Sequence, residues 1–144
     1  MKLIIRKASV RWKGGAKGGT RAVTTQRGAK RQSNLSLTFP FKRDSDTDPA
    51  EFIAAAHASS FSLALSDALH LRSSAAGEIL TTSTVTLQHF AEGWTIVKIH
   101  LDVVATFPKK TQNEFIDATV LAKTSCLVSR LLRANISMTA KLEK

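Results

Sequence analysis

The segment from Pro49 to Ser66, PAEFIAAAHASSFSLALS, constrains the fold more than any other part of this chain. Asp48 is a good capping residue, a proline follows at the first helical position, and Glu51 completes a capping box, so a helix is predicted to begin here. No residue of the segment after Glu51 carries a formal charge, and its large apolar side chains point in several directions. Because a helix that is apolar on all sides is normally buried, we expect a buried central helix that runs to about Leu71.

Two polar residues of this predicted helix form a candidate site. His57 and Ser60 are three residues apart and therefore share a helix face. A base within reach can activate a serine, but two residues at this spacing rarely align imidazole and hydroxyl, and the sequence around Ser60 shows no nucleophile elbow. Two interpretations stay open from the residues alone: a functional pair, or a packing histidine beside a small polar side chain.

The rest of the chain alternates between strand and helix patterns. Three strands are predicted before the central helix, a hairpin follows it, and two helical pieces lead to a last strand. In order, these elements are Lys2–Trp12, Arg21–Thr25, Asn34–Phe41, the hairpin of Thr81–Phe90 and Trp94–Phe107, the helical pieces Thr111–Lys123 and Cys126–Arg133, and the strand Asn135–Leu142. With no repeat and no composition boundary, the pattern predicts one α+β domain over residues 1–144, with mainly antiparallel pairing.

The cysteine content and the hydropathy pattern limit the class of protein. Cys126 is the one cysteine in 144 residues, which excludes an internal disulfide and indicates a reducing, cytoplasmic location. The apolar run at the N-terminus is short and interrupted by charges, so neither a signal peptide nor a membrane span is expected there. The histidines show no spacing with carboxylates that suggests a metal site, and no cofactor is expected.

Positive charge is concentrated in the N-terminal third. Residues 1–43 hold 12 of the 21 Lys and Arg and no acidic residue, whereas residues 44–144 hold 9 bases against 11 acids, a balance of −2. Such a region can bind a polyanion, but it can equally be a solvated sheet edge that Lys and Arg keep soluble. Nucleic acid is not the favoured partner, because no aromatic-interleaved motif or recognition-helix pattern accompanies the charge.

Two separated motifs resemble those of the OsmC/Ohr family of thiol peroxidases. TDPAEFIAAAHASSFSLAL (Thr47–Leu65) is similar to the family pattern TNPEEL-x-AAHAACFSMAL, and AKTSCLVSRLLRANISMTAKL (Ala122–Leu142) is similar to AxAxCPVS-x-xL. The N-terminal strand that ends in Val10–Gly14 and the order of elements also agree. The resemblance implies an OsmC-like fold in an intertwined homodimer, with two long central helices and active sites at the subunit interface. It also implies reduction of organic hydroperoxides, with a dithiol as the reductant.

Only one of the family's two redox cysteines has a counterpart in this chain. Ser60 stands at the position of the peroxidatic cysteine, and Cys126 stands at the position of the resolving cysteine. Because a serine hydroxyl neither ionises near neutral pH nor forms a sulfenic acid, Ser60 cannot take part in the family's disulfide cycle. Cys126 remains either as the thiol of a one-cysteine peroxidase or as a small buried hydrophobe. Arg130, four residues further on, is a cation that would lower the pKa of this thiol.

The two charged residues that hold the thiolate in the family are also replaced. Ala50 stands at the glutamate position, with Glu51 beside it as a possible substitute carboxylate. Pro40 stands at the arginine position, with Arg43 nearby as a possible substitute cation. Three changes in one catalytic set favour natural divergence over a single engineered replacement. They predict that the standard two-cysteine peroxidase activity is lost or weakened.

The resemblance also leaves a binding function open. The family's pocket accommodates an apolar peroxide tail, and here the corresponding pocket is predicted to be lined by Phe39, Phe41, His57 and Phe61. A relative without peroxidase activity would hold an apolar small molecule there, although these side chains can also be ordinary core residues. The sequence therefore predicts an OsmC/Ohr-like stress protein with weakened peroxidase chemistry. The alternatives are a binder of an apolar ligand at the dimer interface and a polyanion binder.

Overall fold

The computed structural model describes residues 3–13, 20–25, 49–69 and 77–143 of the chain. The elements within these ranges are β1 (Leu3–Lys13), β2 (Thr20–Thr25), α1 (Pro49–Ala68), β3 (Glu78–Phe90), β4 (Gly93–Thr106), α2 (Gln112–Ser125), α3 (Leu127–Leu131) and β5 (Asn135–Glu143). The α+β class predicted from the sequence is confirmed. The predicted strand Asn34–Phe41, the capping residue Asp48 and the predicted helix end Leu71 lie outside the described residues.

The five described strands form one sheet in the order β2-β1-β3-β4-β5. Three of the four strand pairs are antiparallel, as the sequence pattern predicts, but β5 runs parallel to β4. The exception follows from the connection, because α2 and α3 carry the chain back along the sheet before β5 begins, and such a crossover gives a parallel pair. The prediction of mainly antiparallel pairing is therefore confirmed among the described strands, with the β4–β5 pair as the parallel exception.

One face of the sheet is apolar and buried. In β4 the alternating residues Ile99, Leu101, Val103 and Ala105 are all 1% exposed or less, while Lys98 and Asp102, which alternate with them, are exposed. This period of two is the pattern of a strand with one face on the core. The turn of the β3–β4 hairpin is made at Gly93, whose φ of 126° is a conformation that glycine adopts without steric cost. The predicted hairpin is thus confirmed.

α1 packs against the buried face of the sheet and covers its centre. Phe61 and Leu65 of the helix share one core cluster with Trp12, Ile79 and Leu101 of the strands. Burial of one large apolar side chain contributes about 1.5–3 kcal/mol, so this interface is a main source of stability. A polar contact crosses the same interface, because the hydroxyl of Ser62 donates to that of Thr81 at 2.8 Å.

The outward face of α1 carries large apolar side chains that the described part of the chain leaves exposed. Phe52 is 42% exposed and Leu63 is 49% exposed, whereas Ala54, Ala58 and Phe61 on the inward side are fully buried. The prediction of a helix buried on all sides is therefore wrong for the single chain. The sequence pattern recorded an apolar surface on every side, and the chain's own sheet covers only part of it.

α2 and α3 meet at Cys126, which places this residue against α1. α2 begins with the predicted capping box: the Glu114 backbone N–H donates to the Thr111 hydroxyl at 3.2 Å, and the Thr111 N–H donates to the Glu114 carboxylate at 2.8 Å. The helix ends where Cys126 takes the extended conformation, with φ −60° and ψ 119°. Its N–H still bonds to the Ala122 carbonyl at 2.8 Å, which fixes the residue at the junction.

Candidate functional site

The junction of α2 and α3 brings Cys126 to Ser60 on α1. The Cys126 Sγ and Ser60 Oγ atoms are 3.3 Å apart, although the residues are 66 positions apart in the chain. The backbone N–H of Val128, in the first turn of α3, also donates to Ser60 Oγ at 3.4 Å. Ser60 on the central helix therefore contacts both Cys126 and Val128, at the start of α3. The two positions that the sequence motifs single out are in direct contact.

His57 lies one helical turn before Ser60 and belongs to the same cluster. Its Nε2 atom is 2.7 Å from the Ser129 hydroxyl, and its ring lies within hydrogen-bonding distance of the Cys126 thiol. The side chain is fully buried, and Nδ1 has no hydrogen-bond partner within the described part of the chain. The Nε2 side of the imidazole therefore faces α3. We call Cys126, Ser60, His57 and Ser129 the thiol cluster.

The thiol cluster favours the thiolate form of Cys126. Burial of the sulfur acts to raise the pKa, but hydrogen bonds from His57, Ser129 and Ser60 outweigh it and lower the pKa of Cys126 to about 6. The backbone N–H of Ser129 acts in the same direction. Each of these donors stabilises a negative sulfur more than a neutral one. At neutral pH most of this cysteine is therefore ionised, which is the form that acts as a nucleophile.

Ser60 can change its hydrogen-bonding role with the charge of the sulfur. The neutral thiol donates its S–H to Ser60 Oγ. When the proton is lost, Ser60 still accepts the Val128 N–H, and its own O–H becomes free to donate to the thiolate. A serine at this position can therefore stabilise the thiolate. It is a neutral donor held in place by a backbone group.

An apolar groove opens beside Ser60. It has a volume of about 370 Å³ and is lined by Ser60, Leu63, Ala64, Asp67, Ala68, Leu121, Ser125 and Leu127. Cys126 itself is fully buried and is not part of the groove wall, although its chain neighbours Ser125 and Leu127 are. The groove is thus an approach to the thiol cluster, with Ser60 as the polar group at the point of contact.

The other residues singled out from the sequence are distributed differently. Phe61 is fully buried in the core and is not part of the groove wall of the single chain. Glu51 is also fully buried, nine residues before Ser60 on the same helix, which corresponds to about 13 Å along the axis. It does not contribute to the pKa of Cys126 within one chain, and neither does Arg130, which is exposed. Phe39, Pro40, Phe41 and Arg43 lie outside the described residues.

Ser129 and most of the groove residues were not predicted from the sequence. The sequence signal for Ser129 was a small polar residue three positions after Cys126, on the side of a short helix. Its contact with His57 depends on how α3 crosses α1, which no local pattern encodes. Asp67 and Leu121 were likewise invisible, because they belong to different helices that only the fold brings to one groove.

Residues 3–13, 20–25, 49–69 and 77–143 contain no group of three His, Cys, Asp or Glu side chains placed to hold a metal ion. In the same ranges, no helix has both the length and the apolar character needed to cross a bilayer.

Comparison with known proteins gives one consistent family. The family model described as "OsmC-like protein" matches residues 42–141. The protein named Peroxiredoxin OsmC from Escherichia coli K12 is 33% identical over 140 residues, which cover 97% of this chain and 98% of the relative. The protein of the same name from Shigella flexneri matches to the same extent.

Solved structures with low sequence identity agree on the fold. An OsmC-like protein of unknown function from Vibrio cholerae has a TM-score of 0.60 at 18% identity, covering 96% of this chain and 97% of its own. An organic hydroperoxide resistance protein OsmC from Legionella pneumophila has a TM-score of 0.58 at 21% identity, covering 100% and 98% of the two chains.

Proposed function

This chain belongs to the OsmC-like protein family, and we propose that it reduces organic hydroperoxides with a single cysteine, Cys126. The observation that carries the proposal is the thiol cluster, in which three side chains lower the pKa of Cys126 to about 6. The names of the relatives, Peroxiredoxin OsmC and organic hydroperoxide resistance protein, supply the substrate class. The family's two-cysteine cycle is not available to this chain because it has one cysteine.

The first half of the proposed reaction is an oxygen transfer to sulfur. The Cys126 thiolate attacks the terminal oxygen of the hydroperoxide, the O–O bond breaks, and the sulfur becomes a sulfenic acid. The alkoxide that leaves takes up one proton and departs as the alcohol. His57, within hydrogen-bonding distance of the thiol, is the group placed to supply that proton. The sulfur is oxidised by two electrons, and the peroxide is reduced by two.

The second half needs a reductant from outside the chain. One thiol of a dithiol attacks the sulfenic sulfur, which releases water and forms a mixed disulfide. The second thiol of the same molecule then displaces Cys126, so the dithiol leaves as a cyclic disulfide and the Cys126 thiolate is restored. A compartment that keeps dithiols reduced, such as the cytoplasm, is part of the proposal.

Access to Cys126 is expected to limit the rate. Cys126 is fully buried and is not part of the groove wall, so side chains that separate it from the groove must move before a peroxide oxygen reaches the sulfur. A cysteine at position 60 would face the groove directly. We therefore expect turnover that is real but slow, with small or narrow hydroperoxides favoured over branched ones.

We further propose that the working form is a homodimer. The exposed side chains of Phe52 and Leu63 make the outward face of α1 apolar, and a second copy packed along α1 would bury them. Because Leu63 also lines the groove, the partner subunit would close its open side. Sedimentation or light scattering should give twice the chain mass of 15.6 kDa. A monomer at micromolar concentration would contradict this part of the proposal.

A coupled assay tests the activity. The full chain, a dithiol and an alkyl hydroperoxide are mixed, and loss of hydroperoxide is followed against a reaction without protein. Turnover that disappears in Cys126→Ala supports the proposal. No turnover with linear or aromatic hydroperoxides and several dithiols would sink it.

The groove itself favours a second candidate function, which is binding without turnover. Its wall is formed mainly by Leu63, Ala64, Leu121 and Leu127, and such a surface can hold an apolar small molecule. Saturable binding of an apolar ligand, together with no hydroperoxide loss, would select this function. The polyanion alternative stays a prediction, because most of the basic N-terminal third lies outside the described residues. A salt-dependent affinity for a polyanion would test it.

A further inference from the structure

The wall of the groove beside Ser60 contains one charged residue among those described, Asp67. Asp67 lies in the last turn of α1 and is exposed, seven residues after Ser60. Seven residues correspond to about 10 Å along the helix axis. The groove therefore has a polar, reactive end at Ser60 and a carboxylate at a distance that a medium-length alkyl chain spans, with apolar side chains between them.

The Asp67 carboxylate is not neutralised by any side chain within the described ranges. No hydrogen bond or ion pair of Asp67 is present among the described residues. The last turn of α1 has no basic residue, and the partial negative charge at a helix C-terminus adds to that of the acid. Both contributions make this end of the groove electronegative.

A second hollow, also between α1 and α2, carries net negative charge as well. It shares Ala68 and Leu121 with the groove and adds Glu114 and Asp117 against one base, Lys110. The hydrogen bond from the Thr111 backbone lowers the pKa of Glu114, which keeps this carboxylate ionised at neutral pH. Together the two hollows carry three acids and one base, whereas the whole chain has a net charge of +10.

We propose that Asp67 sets the charge selectivity of the groove, so that it takes an apolar chain with a cationic end in preference to one with a carboxylate. The apolar chain lies along Leu63, Ala64 and Leu121, and the cationic end lies at Asp67. As a statement about the substrate of Cys126, this inference rests on the proposed function. It names alkyl hydroperoxides with an ammonium-type end as favoured substrates and fatty-acid hydroperoxides as poor ones.

Binding of three ligands that differ only in their end group tests the selectivity without any turnover. Octylammonium, octanol and octanoate are titrated into the full chain at low salt, and affinity is measured by calorimetry. Octylammonium is expected to bind about five- to tenfold more tightly than octanoate, the scale of one exposed charge contact made attractive rather than repulsive. In Asp67→Asn the preference should fall to about twofold or less. Added salt should reduce it in the wild-type chain only.

Asp102→Asn is the matched control, because Asp102 is an exposed acid on the far face of the sheet and its removal changes the net charge equally. This control should leave the preference intact. Equal or tighter binding of octanoate by the wild type would overturn the proposal, since the overall net charge of +10 would then dominate. So would an Asp67→Asn variant with unchanged preference, or no binding of octylammonium. An Asp67-dependent preference without hydroperoxide turnover would reject the proposed function and leave the selectivity standing.

Discussion

Two clusters in this molecule contain a histidine and hydroxyl side chains, and they differ in almost everything else. His57 is fully buried between α1 and α3, beside a thiol and next to a groove. His100 lies on the outer face of the sheet with its side chain 37% exposed. Its Nδ1 atom is 2.7 Å from the Ser137 hydroxyl, and its Nε2 atom is 3.1 Å from the Thr139 hydroxyl.

The difference shows that environment, more than residue type, makes a chemical site. The His100 cluster even includes a carboxylate, Asp102, at 3.3 Å. However, the cluster is exposed, so water competes for each of these contacts and they stabilise a charged group only weakly. In the thiol cluster, water is excluded and the same kinds of hydrogen bond change the charge state of the sulfur.

The largest expected effect is the loss of reaction on removal of the sulfur. Cys126→Ser should reduce hydroperoxide consumption to the rate without protein, because no second thiol exists in the chain. His100→Gln should leave consumption unchanged, since His100 contacts hydroxyls and Asp102 far from any thiol. An equal loss of hydroperoxide consumption in Cys126→Ser and His100→Gln would contradict the functional difference between the two clusters.

His57→Leu should slow the reaction of Cys126 by about fiftyfold at pH 6. The lost hydrogen bond to a charged group corresponds to about two pKa units, so far less thiolate is present at this pH. Iodoacetamide alkylation of the folded chain measures the rate, and circular dichroism verifies that the variant is folded. A rate unchanged from wild type would show that His57 is a packing residue only.

The pH dependence of alkylation should follow the lowered pKa of Cys126. The thiolate is the reactive form, so the rate should rise about thirtyfold from pH 4.5 to 7.5 and level off above pH 7. A thiol with an ordinary pKa would still gain rate between pH 7 and 9. Continued increase through that upper range would contradict the stabilisation that distinguishes this cluster.

A smaller effect is expected for Ser60→Ala, with Ser137→Ala as its counterpart in the exposed cluster. Loss of the Ser60 hydroxyl removes one donor to the thiolate and should raise the pKa of Cys126 by about one unit, a fivefold slower alkylation at pH 6. Ser137→Ala should leave the alkylation rate unchanged. A Ser60→Ala variant that reacts faster would mean that the hydroxyl acts mainly as a steric block.

The sequence predicted the fold best where each element carries its own signal. Alternation in β4 and the Thr111 capping box were read correctly because both patterns are local. The parallel direction of β5 was not, because it depends on the path of α2 and α3 over the sheet. The apolar outward face of α1 was recognised as apolar, but what covers it is not encoded in the helix itself.

The candidate site was predictable as far as the motifs reach. Position 60 and Cys126 could be paired from family patterns, and the structure puts their side chains 3.3 Å apart. The low pKa of Cys126 could not be predicted, since it depends on donors from two helices that converge only in the folded chain. Arg130, which was expected to lower the pKa of this thiol, is exposed to solvent, and hydrogen bonds from His57, Ser129 and Ser60 lower the pKa instead.

The central claim is that folding activates Cys126 toward peroxide, and one measurement tests it directly. The chain is treated at pH 6.5 with one equivalent of a linear primary alkyl hydroperoxide and a dimedone trap, once folded and once in urea, and the Cys126 peptide is quantified by mass spectrometry. A thiol with a pKa of about 6 predicts that the sulfenic acid adduct forms faster in the folded chain, despite the burial of the sulfur. Faster adduct formation in urea would contradict the account, because the fold would then protect the cysteine instead of activating it.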